Sequence, residues 1–304
     1  MGSKTAKPRT GRDRIDIIEA EGYLTSGVTA LSILADVFAG DESVYAYLET
    51  LIARHDWQGF KYDVVPALLR GFDGARARQI VERGILDHSL GTYERSGMLN
   101  AYFRTKRSDP RVVAFAKQML KANDEPEMRA AVFRAMTYFA DALDSDELGR
   151  LREIVASDGD ENLRIAALQL IGERQDQVDF VLERATAPDT NNIRSVAIGL
   201  AHDLGYRDSN WYAQIFAHDA ADSIRSIALT HLISSVGEDE LRTLLVREME
   251  RTDLGVAAAR SAFEALNRWP NEPTIRKLVE NMLERLPKEV GAWRNLLRTR
   301  LSRS

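Results

Sequence analysis

The sequence predicts an all-α fold, a solenoid of about eight or nine antiparallel helical hairpins, and three observations carry that prediction. Apolar residues recur at steps of three and four along the 304-residue chain, as in helices that bury one stripe. Alternating β-branched runs bounded by hairpin dipeptides do not occur. An arginine entering a helix of apolar and small residues returns at Arg95, Arg129, Arg164, Arg194 and Arg225, at intervals of 34, 35, 30 and 31 residues. A period of about 20 to 50 residues means one supersecondary unit repeated because no single copy can bury its own apolar face.

Taken in order, the chain begins with a basic flexible tail, 1–14, followed by a single domain over 15–304 whose repeats are clearest at 60–270. Helices are expected first at 12–22, 26–39, 42–54 and 62–71. Lys61 stands 34 residues before Arg95, and Val64, Val65, Ala67 and Leu68 fill the slots that follow it. Pro66 inside this segment predicts a kink or a late helix start, because proline removes a hydrogen bond and clashes with the preceding turn. Next come 74–88 and 92–104, then 110–122, opened by Ser108-Asp109-Pro110, a cap followed by proline at the first helical position. Asp124-Glu125-Pro126 opens 126–141 in the same way. Asp144, Asp146 and Glu147 suit the positive first turn of 145–156, and Ser157-Asp158-Gly159-Asp160 leads into 161–173. The remaining helices fall at 175–185, 190–204, 208–217, 221–235, 237–250, 253–268, 272–286 and 289–301, cut at Ala187-Pro188-Asp189, Gly237-Glu238-Asp239 and Trp269-Pro270-Asn271. Connections this short oblige successive helices to run antiparallel.

The repeated phrase, best seen from Asp160 through Leu163-Arg164-Ile165-Ala166-Ala167-Leu168 to Gly172, resembles the second helix of HEAT repeats. That resemblance covers roughly 60–270 and implies a right-handed α-solenoid. It also implies a ladder of acids and arginines between adjacent repeats, here Asp124 with Arg129, Asp160 with Arg164, Asp189 with Arg194 and Asp222 with Arg225, and Arg95 belongs to the same structural series. Independently of the family, Ala130, Ala131, Ala166, Ala167, Ala197 and Ala228 let helices approach closely, while the arginine fork can bridge carbonyls or carboxylates at the seam.

Chemistry is sparse. With no cysteine, disulfides, thiolate metal sites and cysteine nucleophiles are excluded, and the chain fits a reducing cytoplasm, where we expect it. No apolar run is long enough for a bilayer, and the N-terminus lacks the apolar core of a secretory signal. The five histidines, His55, His88, His202, His218 and His231, form no metal-binding pattern, though His202 and His231 could face one another from successive motif helices. Phosphate cradles, dinucleotide fingerprints and nucleophile elbows are missing, so no cofactor is expected. The net charge of −5 is uneven: each end, 1–14 and 291–304, carries +4, which leaves −13 on the body. An acidic body repels the phosphate backbone and disfavours nucleic acid as a partner.

These observations lead to a noncatalytic scaffold or adaptor that presents a concave helical surface to a protein or peptide. By helical phase the candidate contacts are Phe133, Arg134, Tyr138, Gln169 and Thr230, with Leu99, Asn100 and Gly199 on the same face. Phe133, Arg134 and Tyr138 combine the aromatic and arginine character of binding hot spots. The enzymatic alternatives that the resemblance implies are a glycosylase acting on alkylated DNA bases, which needs a basic groove around an extruded nucleotide, and a bilin lyase.

Overall fold

The structure, a computed structural model, describes residues 10–21, 31, 34–54, 61–72, 74–106, 109–121, 125–250, 255–266, 268–269, 272–285, 291, 294–295 and 297–299. These residues form helices, with no strand among them. Parts of the helices expected at 26–39 and 289–301, residues 1–9 of the basic tail, His55 and Asp124 lie outside the described residues. Where the sequence predicts one domain, the chain divides into two compact units, Met1–Glu173 and Arg174–Ser304.

In the first unit, helix Gly11–Glu21 packs on Glu42–Ala53, so residues 11–14 are helical rather than part of a flexible tail. Four hairpins follow: Glu42–Ala53 with Lys61–Gly71, Ala75–Leu86 with Thr92–Thr105, Pro110–Lys121 with Pro126–Met136, and Ser145–Ser157 with Glu161–Gly172. Each second helix also packs on the second helix of the next hairpin. Val64, Leu68, Met98, Leu99, Met128, Val132, Leu163, Ala166 and Ala167 are buried between them. Asp144 closes a capping box with Glu147, and Asp160 accepts a hydrogen bond from the Leu163 amide at 2.8 Å. Helix Lys61–Gly71 runs through Pro66, which lies in its second turn and forgoes the bond its N–H would give Tyr62.

The largest departure from the expected helices is at 126–141. The α-helix stops at Met136, and Thr137–Ala142 tightens into a 3-10 helix in which Phe139 leaves helical geometry (φ −131, ψ 21). That turn sets the Phe139 ring edge-on to Phe103, centroids 5.3 Å apart, and leaves Tyr138 outside. Burying an aromatic ring outweighs one more turn of regular helix.

In the second unit, Val178–Thr186 pairs with Asn191–Asp203, Ser209–His218 with Asp222–Leu232, and Glu238–Met249 with Val256–Leu266, while Pro273–Arg285 packs on Glu238–Met249. The three second helices again contact one another in order. Ile193, Ala197, Ile224, Ala228, Leu232, Ala258 and Ala262 form the buried seams.

The motif arginines do one repeated job inside their own hairpins. Arg95 Nε donates to the Ile85 carbonyl at 2.8 Å, Arg164 Nε to Val155 at 2.7 Å, Arg194 Nε to Ala185 at 3.1 Å and Arg225 Nε to Phe216 at 2.9 Å. Each carbonyl sits in the last turn of the preceding helix, which would otherwise leave it without a partner. A cation there also opposes the negative helix end.

The acids differ from the expected ladder. Arg194 pairs with Asp219 (Nη1 to Oδ1, 3.2 Å) and Arg129 approaches Asp158 (3.9 Å). Asp158 and Asp219 are the residues that end the next hairpin's first helix, so these rungs do run between successive hairpins. Asp160 caps its own helix instead, and Asp222 accepts from the amides of Ala257 and Ala258 (2.6 and 3.0 Å), capping helix Val256–Leu266 one hairpin on. Asp189 accepts from the Thr190 amide at 2.7 Å beside a helix start. A carboxylate placed just before a helix is drawn to its unpaired amides at least as strongly as to a guanidinium.

Candidate functional site

Three successive second helices of the first unit, Lys61–Gly71, Thr92–Thr105 and Pro126–Met136, enclose an open groove of about 550 Å³. Its floor is made of small residues, Gly97, Ala101, Ala131 and Ala135, and its walls of Tyr62, Tyr93, Asn100, Arg104, Arg134 and Tyr138. Small residues that let the helices approach also leave room above them, so one sequence device builds both seam and groove.

Tyr62 lies over Gly97 so closely that a Cβ added there would stand 2.6 Å from its Cδ1. It meets Tyr93 edge-on at 6.3 Å, and burial, with a hydrogen bond and charge repulsion from Tyr93, pushes its phenol up to about 12. Tyr93 is 69% exposed and Tyr138 39%, and the Tyr138 hydroxyl reaches the Asn100 amide oxygen at 3.5 Å. Arg104 and Arg134 are exposed, and among the described residues their guanidinium groups make no ion pair or hydrogen bond. Among the described residues no Asp or Glu lines the groove, and the carboxylate whose charge acts on Tyr62 is that of Asp63.

Of the contacts expected from the sequence, the structure brings Arg134 and Tyr138 together here, with Asn100. Phe133 is not available: it is 2% exposed and belongs to the core, as does Leu99. Each stands one residue before an outward position, and about 100° of helix rotation carries it from surface to seam. Gln169 is half-buried and Thr230 exposed, and neither lines this groove. Tyr62, Gly97 and Arg104 were not singled out by sequence reasoning. Arg104 lies nine residues after Arg95, as Tyr138 does after Arg129, and that shared offset was the available signal.

In the second unit the corresponding helices bring His202 and His231 together, ring centroids 4.5 Å apart. His202 Nε2 is 3.1 Å from Ser234 Oγ, and Tyr212 lies 5.9 Å beyond His231. Burial, and then the neighbouring His202, hold the His231 imidazole below its ordinary value. Among the described residues no group of three or more acids and histidines is placed to hold a metal ion, and no helix is long and apolar enough to cross a membrane.

The chain matches no protein-family model and no curated protein sequence.

Proposed function

We propose that this chain is a noncatalytic interaction scaffold whose hairpins stack as HEAT-like repeats of a right-handed α-solenoid and offer a concave helical face to a protein or peptide. The observation that carries the reading is the groove, where two exposed tyrosines and two arginines that have no partner among the described residues, drawn from two consecutive hairpins, stand on a buried scaffold. Tyrosine and arginine dominate binding energy at protein interfaces because each supplies large contact area with a polar handle. The scaffold holds them without cost to itself, since the seams are filled by alanine and aliphatic residues and by the motif arginines. A cysteine-free chain of this kind suits the cytoplasm.

A base-excising enzyme is less well supported. It requires a carboxylate within reach of an extruded nucleotide and a groove able to hold phosphates over several steps, and the residues around this groove provide two cations and no acid.

The test is affinity capture from the native host with the wild-type chain and with Arg134→Glu, beside an excision assay on alkylated DNA. The scaffold reading expects a protein retained by the wild type and lost by the variant, with no excision. A partner retained equally by both, or base release dependent on the groove, would contradict it.

A further inference from the structure

We infer that the groove of the first unit takes an acidic peptide segment, with Arg104 and Arg134 gripping Asp or Glu carboxylates while Tyr93 and Tyr138 cover its apolar side chains. This deepens the scaffold reading and depends on it, and what it adds is the chemistry of the partner.

Charge is the first argument. The chain holds 46 acidic residues against 41 lysines and arginines, yet the groove lining carries two arginines and no acid. Its local sign is therefore opposite to that of the molecule, and such a patch attracts anions.

The arginines are also left unpaired by design of the sequence. On a helix an ion pair forms with an acid three or four residues away, as in Arg260 with Glu264 and Arg276 with Glu280. Around Arg104 those positions hold Asn100, Ala101, Arg107 and Ser108, and around Arg134 they hold Ala130, Ala131, Thr137 and Tyr138. Elsewhere in the same unit, Arg76 and Arg83 reach glutamates of the neighbouring hairpin. Two forked donors without acceptors among the described residues, lining one groove from consecutive hairpins, match carboxylates in both charge and shape.

Exposure supplies the third. Among the described residues five large hydrophobic side chains are exposed, and two of them, Tyr93 and Tyr138, flank these arginines. Aromatic rings beside unpaired cations favour a chain that presents acids and apolar side chains alternately. A polyphosphate presents charge without the apolar part.

The test uses the full-length chain and a random twelve-residue peptide display library, with panning repeated on the double variant Arg104→Glu/Arg134→Glu and a fluorescent deoxythymidine 15-mer as the nucleic-acid arm. Far-ultraviolet circular dichroism checks that the variant folds. We expect the wild type to enrich peptides containing Asp or Glu next to apolar residues, and those peptides to bind the variant about tenfold or more weakly for each arginine lost. Enrichment of neutral or basic peptides would overturn the acidic assignment and leave the scaffold reading standing. Groove-dependent binding of the oligonucleotide without peptide enrichment, or no binding at all, would overturn both.

Discussion

The two units share an interior and differ in what they show. In both, a motif arginine is tied to the last-turn carbonyl of its hairpin's first helix: Arg95 and Arg164 in the first unit, Arg194 and Arg225 in the second. Five and nine residues after these arginines, however, the first unit presents Asn100 and Arg104, then Arg134 and Tyr138 after Arg129, whereas the second presents Gly199 and Asp203, then Thr230 and Ser234. One repeated scaffold therefore carries two chemistries, and the inward and outward residues of the same helix can vary separately.

The most severe way to break this comparison is to remove the shared element. Arg95→Ala and Arg225→Ala should each lower unfolding free energy by about 2–3 kcal/mol, since both guanidinium groups are buried and each leaves a helix-end carbonyl without its charged donor. Urea denaturation of the two variants should show similar losses, and a large loss in one unit with none in the other would end the claim of a common interior.

A smaller effect belongs to the first unit alone. Gly97→Ala forces the Tyr62 ring aside and should cost about 1–2 kcal/mol by overpacking, while Gly199→Ala, which meets nothing within 4 Å, should be neutral or slightly stabilising. Thermal melts distinguish the two. Smaller again is Lys61→Met. Lys61 occupies the arginine slot of its hairpin, but among the described residues its buried ammonium has no hydrogen-bond partner and lies 3.7 Å from Glu94. An apolar replacement of similar length should raise stability by about 1 kcal/mol, measured by the same denaturation.

How much of this could be read from the sequence follows from the same division. Helices and hairpins were legible because burial writes a three- and four-residue rhythm and the turns write Asp-Pro and Asp-Gly; the expected 110–122, 145–156 and 161–173 match Pro110–Lys121, Ser145–Ser157 and Glu161–Gly172 within a residue. The outward position of Arg134 was legible from phase, but Phe133 was not distinguishable from it, because an aromatic one step away fits either a core or a hot spot. The acids of the ladder misled for a physical reason. Sequence shows an acid near an arginine, while the structure offers that acid a nearer set of helix amides, as Asp160 and Asp222 show.

The mildest prediction concerns the second unit. The depressed His231 imidazole, facing His202, Asp203, Arg207 and Tyr212, means that the unfolded chain takes up a proton before the folded chain does. Its contribution to stability is complete above the ordinary value of 6.5 and declines as pH falls through it. Melting temperature should drop between pH 7 and pH 5, and His231→Gln should flatten that slope.

The central claim is that outward residues of the first unit, carried on a scaffold both units share, set what is bound. It is tested most directly by titrating a random copolymer of glutamate and tyrosine into the wild type, Arg104→Glu/Arg134→Glu and Thr230→Glu/Ser234→Glu, with melting temperatures recorded for all three. The account predicts binding lost only in the first double variant, at unchanged stability in both. Equal binding by all three chains, or equal loss in both variants, would contradict it.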